Sequence, residues 1–138
     1  MPRFKSRLDG LKAAKRHWVC KSCGVSFTVK KPTTCSHCPK GEGKSFHYFA
    51  SLKEFNRYGE LLLMEKAGLV DHGTIDIHPR YQVHLGAGET KNVELDFRYK
   101  VHGREVIEDV KSWGSDTAVS KLKRQLVEAQ HGITVVLV

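Results

Sequence analysis

A chain of 138 residues has room for one modest domain and a small appendage. Its 40% hydrophobic and 28% charged residues exclude a disordered chain and predict a globular, soluble one. No apolar run approaches the roughly 20 residues of a membrane helix, so no membrane association is expected. The start, MPRFKSRLDG, lacks the apolar stretch of a secretory signal, which predicts a cytoplasmic location. In that reducing compartment the four cysteines read as thiolates.

The net charge of +8 is concentrated at one end. Residues 1–45 carry 11 Lys and Arg against Asp9 and Glu42, whereas residues 46–138 carry 12 against 13 acids. A basic module beside a near-neutral one predicts a polyanionic partner, most simply nucleic acid. Three segments follow: a basic arm over 1–16, a cysteine segment over 17–45 and an α/β domain over 46–138. Candidate phosphate contacts in the first two are Arg3, Lys5, Arg7, Lys12, Lys15, Arg16, Lys30 and Lys31.

In chain order, Val25–Val29 alternates like a strand. Ser51-x-x-Glu54 is a capping box that predicts a helix with Leu52, Phe55, Tyr58 and Leu62 on its apolar face, ending at Gly68. Short strands are expected over 74–77 and 80–85, with a loop at Gly86-Ala87-Gly88. Val93–Val101 alternates over its whole length and predicts one strand. His102-Gly103 is a turn, and 105–112 returns from it. Ser115 or Asp116 caps a second helix running to about Gln130, with Ala118, Leu122, Leu126 and Ala129 as its apolar stripe. Gly132 ends that helix, and 133–138 reads as a buried strand. The order after the cysteine segment is therefore α-β-β-β-α-β, with a small mixed sheet.

Cys20-x-x-Cys23 and Cys35-x-x-Cys38 are 11 residues apart. A two-residue gap lets both thiolates of one tight turn reach a single ion, and two such turns complete a tetrahedral structural Zn²⁺ site. So small a segment has almost no core, and coordination would supply its missing folding energy. His37 in place of one cysteine, or redox chemistry at a Cys-x-x-Cys pair, are the competing readings. The four-cysteine arrangement resembles the zinc ribbons of many nucleic-acid-binding proteins.

The second signal is Leu95-Asp96-Phe97 followed by Glu108-Asp109-Val110-Lys111. A turn centred on His102-Gly103 pairs Val101 with Arg104 and sets Asp96 opposite Asp109. Like charges opposed across a ladder are destabilising unless a cation lies between them. Lys111 projects on the side of Asp109, with Glu108 and Val110 on the other face. Mg²⁺ or Mn²⁺ on these carboxylates would leave positions open for a phosphate. The competing reading is a solvated strand face with a surface ion pair.

Asp96, then Asp109-x-Lys111 on the next strand, preceded by a helical glutamate, resembles the PD-(D/E)xK nuclease superfamily. Ser51-Leu52-Lys53-Glu54, its helix and Glu108-Asp109-Val110-Lys111 also resemble a family of small phage proteins related to Holliday-junction resolvases. Leu95 stands where the motif's name has proline. The resemblance spans roughly 46–138 and implies a restriction-endonuclease-like αβββαβ core and metal-dependent hydrolysis of DNA. By it, Asp96, Asp109 and Glu54 would hold catalytic Mg²⁺ or Mn²⁺ and Lys111 would be the catalytic lysine. Branched DNA would be the substrate, a homodimer would supply two cuts, and a phage-encoded chain would work in the host cytoplasm. Glu54 is equally explained by its capping box. The alternative function is a non-catalytic zinc-ribbon protein that binds DNA or recruits a partner.

Of the remaining residues, Lys121, Lys123 and Arg124 lie off the expected apolar stripe as further phosphate contacts. Trp113 is a candidate for stacking on an unpaired base. The eight histidines show no metal spacing, and none is assigned to catalysis.

Overall fold

β1 (His17–Cys20) is a run of aromatic and branched side chains that suits a pleated surface, and it runs into the first cysteine turn. β2 (Ser26–Thr28) and β3 (Phe46–Phe49) pair antiparallel on either side of it, in the order β2-β1-β3. The computed structural model describes residues 16–28, 32, 34–38, 46–111, 114 and 116–138, and divides into units Met1–Asn56 and Arg57–Val138. The ribbon thus has a third strand, built from residues past the expected limit of 45. Val19, Cys20, Phe46 and Phe49 are its buried side chains on these strands, with His17. Phe27 meets Phe46 edge-on at 6.0 Å, and Trp18 lies 4.6 Å from Tyr48.

α1 (Leu52–Lys66) begins where the capping box places it: the Glu54 amide donates to Ser51 Oγ at 3.2 Å. Of the expected apolar face, Phe55 packs against His17 and Phe49 and Tyr58 against Phe97, but the two leucines do not turn inward. Leu61 is fully buried, while Leu52 and Leu62 are 44% and 42% exposed. The boundary between the two units falls inside this unbroken helix.

The second unit then runs β4 (Asp76–Ile77), β5 (Arg80–Gly86), β6 (Glu89–Glu94), β7 (Phe97–Val101), β8 (Arg104–Asp109), α2 (Ala118–His131) and β9 (Val135–Leu137). β5 and β6 form a hairpin, and the other strands form a mixed sheet in the order β4-β7-β8-β9. β7 and β8 are antiparallel, whereas β9 lies parallel to β8 because α2 carries the chain back across. Tyr81, Val83, Val93, Leu95, Ile107, Val127 and Val135 form one core, with Leu126 and Ile133 against it.

Four features depart from the sequence expectations. The alternating stretch 93–101 is two strands broken at Leu95-Asp96, because the chain changes partner there. β6 pairs with β5 up to Glu94, and β7 pairs with β4 and β8 from Phe97. The facing segment breaks at the same level, at His78-Pro79. His78 N–H donates to the Asp96 carbonyl and Leu95 N–H to the Pro79 carbonyl, both at 3.0 Å. The N-cap of α2 is Thr117, whose Oγ1 accepts from the Ser120 amide, rather than Asp116; Ser115 lies outside the described residues. The inward face of α2 carries the expected Leu126 together with Val127, Lys123 and Arg124, while Leu122 is 56% exposed. β9 is an edge strand, so only Val135 is buried and Val136 and Leu137 are half exposed. Among the described residues no helix is long and apolar enough to cross a membrane.

Candidate functional site

The four cysteines come together. Cys20 ends β1, and the chain turns back at once: Gly24 N–H donates to the Cys20 carbonyl at 2.9 Å and Cys20 N–H to the Val25 carbonyl at 3.0 Å. Gly24 sits at φ +76°, where a side chain would be strained. All four Sγ atoms lie within 4.8 Å of one another, with Cys20–Cys38 at 3.7 Å and Cys23–Cys35 at 3.5 Å. These separations are far too long for disulfides. They match the edge of a tetrahedron with metal–sulfur bonds near 2.3 Å, which is about 3.8 Å. The Cys20 thiol is pulled down to about 6, chiefly by the Cys23 amide and against its own burial. Four sulfurs so placed are a donor set that could hold a metal ion, and zinc takes such a set as thiolates.

The break between the two sheets makes the second site. His78 has φ +54°, an uncommon conformation for a residue with a side chain and more so before proline. Asp96 lies directly across the break, and its Oδ2 accepts the Val110 N–H at 2.6 Å. Glu54 sits in the first turn of α1. An Asp96 carboxylate oxygen and a ring nitrogen of His78 lie within 4.8 Å of one another. His78 carried no assignment from sequence. The signal available was a His-Pro step interrupting a strand pattern, which marks a bend but names no ligand.

Asp109 stands beside this group rather than within it. The hairpin register is the expected one, Val101 with Arg104 through Phe97 with Glu108. The ladder stops one pair short of Asp96 and Asp109, because Asp96 is already in the bend. Asp109 is 6% exposed. Its Oδ2 lies 3.2 Å from Lys111 Nζ and 3.4 Å from Arg124 Nη1. Arg124 is also gripped by Asp116 at 2.6 and 3.1 Å, and this contact holds the Asp116 carboxyl below the usual range. Arg124 is therefore not on a solvated helix face. A cleft of about 270 Å³ opens here, lined by Asp109, Lys111, Thr117, Ser120, Lys123 and Arg124 among others.

Glu108, next in sequence to Asp109, points the other way and is 2% exposed. Arg57 donates to both its oxygens at 2.9 and 2.5 Å, and Tyr99 Oη donates at 2.6 Å. Burial, then the Glu108 carboxylate, push the Tyr99 phenol up to about 12. This network fixes β7 and β8 against each other and against α1, with Tyr58 stacked over Phe97.

Of the basic candidates, Lys121 and Arg16 are exposed and Lys123 is half-buried. Arg3, Lys5, Arg7, Lys12, Lys15, Lys30, Lys31 and Trp113 lie outside the described residues. Compared with protein-family models, curated proteins and solved structures, the chain matches none.

Proposed function

We propose that this chain is a metal-dependent endodeoxyribonuclease with a restriction-endonuclease-like core and a structural zinc ribbon. One observation carries the reading. The Asp96 carboxylate is bonded to the Val110 amide, between Asp109 and Lys111, and Lys111 Nζ is 3.2 Å from Asp109. Two carboxylates and a lysine from adjoining strand ends are thereby gathered at one edge, which a surface ion pair does not require.

Asp96 and Asp109 are the residues to hold Mg²⁺ or Mn²⁺, with His78 as a further donor. An ion bound there would supply Lewis acidity and polarise the attacking water. Lys111 orients that water, takes up its proton or offsets charge gathering on the attacked phosphate. Arg124 and Asp116 hold Asp109 in place. Cys20, Cys23, Cys35 and Cys38 hold zinc, which folds the ribbon and does no chemistry. The basic arm and ribbon bind DNA, and a homodimer places two such sites on a branched substrate.

The test is cleavage of labelled four-way junction, flap, single-stranded and linear duplex DNA with Mg²⁺ or Mn²⁺. The expected result is preferential junction cutting that EDTA and Lys111→Met each abolish. Metal-independent cutting, or none on any substrate by zinc-loaded protein, would leave the ribbon as a DNA-binding module and overturn the proposal.

A further inference from the structure

An amphipathic helix packed on a sheet ordinarily presents apolar residues inward. The first half of α2 does not. Its inward positions are Ser120, Lys123 and Arg124, and apolar packing begins only at Leu126 and Val127. These polar side chains border the cleft of about 270 Å³ beside Asp109. Such a departure from the packing pattern needs a partner for the cations it turns inward.

The ion pairs along the cleft wall leave one cation over. Lys111 and Arg124 share Asp109, and Asp116 takes the rest of Arg124. Glu94, also on the wall, is paired with Arg80 at 3.3 Å. Lys123 has no ion-pair partner among the described residues, so one cation is left over in a half-buried position. A second metal ion would be repelled by three cations, and an apolar ligand would leave them desolvated. An anion satisfies both conditions. The α2 N-terminus, whose dipole favours negative charge, opens on the same side.

We infer that this cleft seats a backbone phosphate of a nucleic-acid strand, bound by Lys123 and by Arg124, which Asp116 presents. The inference rests on the nuclease reading and adds to it the path of the strand: past Asp109 and along the first turns of α2. It also couples two ligands. A divalent cation on Asp109 weakens the hold of that carboxylate on Lys111 and Arg124, which frees both for the phosphate. Phosphate and cation therefore strengthen each other's binding, reciprocally.

The test uses full-length, zinc-loaded protein and a fluorescein-labelled single-stranded oligonucleotide, followed by anisotropy over a salt series. It is run in EDTA and in Ca²⁺, for wild type, Lys123→Gln and Lys66→Gln, an exposed control at the end of α1. Loss of one phosphate contact makes the slope of log K against log salt shallower by about 0.7. Lys123→Gln is expected to show that change and a weaker affinity on every sequence, with an unchanged melting temperature. Lys66→Gln keeps the wild-type slope, and wild-type affinity rises in Ca²⁺. A Lys123→Gln protein with wild-type slope and affinity would overturn the inference. If the slope changes as expected but wild type cuts no DNA in Mg²⁺, the phosphate site stands and the nuclease reading falls.

Discussion

Glu108 and Asp109 are adjacent acids with opposite fates, and the difference lies in which face of β8 each occupies. The alternation of a strand is enough to separate them from sequence, since successive side chains point to opposite faces. What alternation does not reveal is that Arg57, 51 residues away, closes on Glu108. That contact is tertiary and leaves no local mark. Arg57→Ala leaves a carboxylate buried without its partner, and an expected loss of about 3–5 kcal/mol would be read from urea unfolding. The Tyr99 phenol gives the same network a pH signature. Its folded pKa, about 12, lies above the unfolded value near 10, so its contribution is complete below about pH 10 and is lost as pH rises toward 12. Tyr99→Phe is expected to flatten the alkaline fall in stability, and an unchanged alkaline limb would contradict this. His78 was equally hidden: its position depends on a left-handed backbone at a place where two strands bend together, which no spacing rule records.

At the scale of elements, legibility follows how local each determinant is. The capping box of α1, the cysteine turns and the hairpin register each depend on a few neighbouring residues, and each sits where the sequence places it. The break at Leu95-Asp96 is concealed because Val93, Leu95, Phe97 and Tyr99 are all buried and alternate without interruption. Leu95 belongs to the core that includes Val127, whereas Phe97 stacks with Tyr58 of α1. One hydrophobic pattern thus serves two opposite faces. The same ambiguity misplaces the face of α2, because the first half of that helix borders a polar cleft and not the core. This assignment is directly testable by unfolding. Leu122→Ala should change stability by no more than about 0.5 kcal/mol, while Val127→Ala should cost about 2 kcal/mol. Equal costs would return Leu122 to the packed face. Thr117→Ala, which removes the N-cap of α2, should cost about 1 kcal/mol.

For the whole molecule, the two units have different sources of stability. The ribbon's small core is organised around Cys20, Cys35 and Phe46, so coordination is expected to be its main folding energy. The unit from Arg57 onward has its own apolar core. A strong chelator, or Cys35→Ser, should therefore abolish ordered ribbon structure and one equivalent of bound zinc while the second unit still melts cooperatively. A single transition lost as a whole on chelation would contradict that division. The central claim concerns chemistry, and Asp109 is its most exposed point: the residue lies between Lys111 and Arg124, beside Asp96, at the edge of the cleft. The measurement that tests it most directly is the single-turnover cleavage rate of Asp109→Asn against wild type in Mg²⁺, at equal zinc content and on the substrate wild type cuts fastest. The account predicts a loss larger than the roughly 10–100-fold caused by removing an outer partner of a metal ligand. A variant that cuts at the wild-type rate would mean that Asp109 and Lys111 are a structural ion pair and that the chemistry, if any, lies elsewhere.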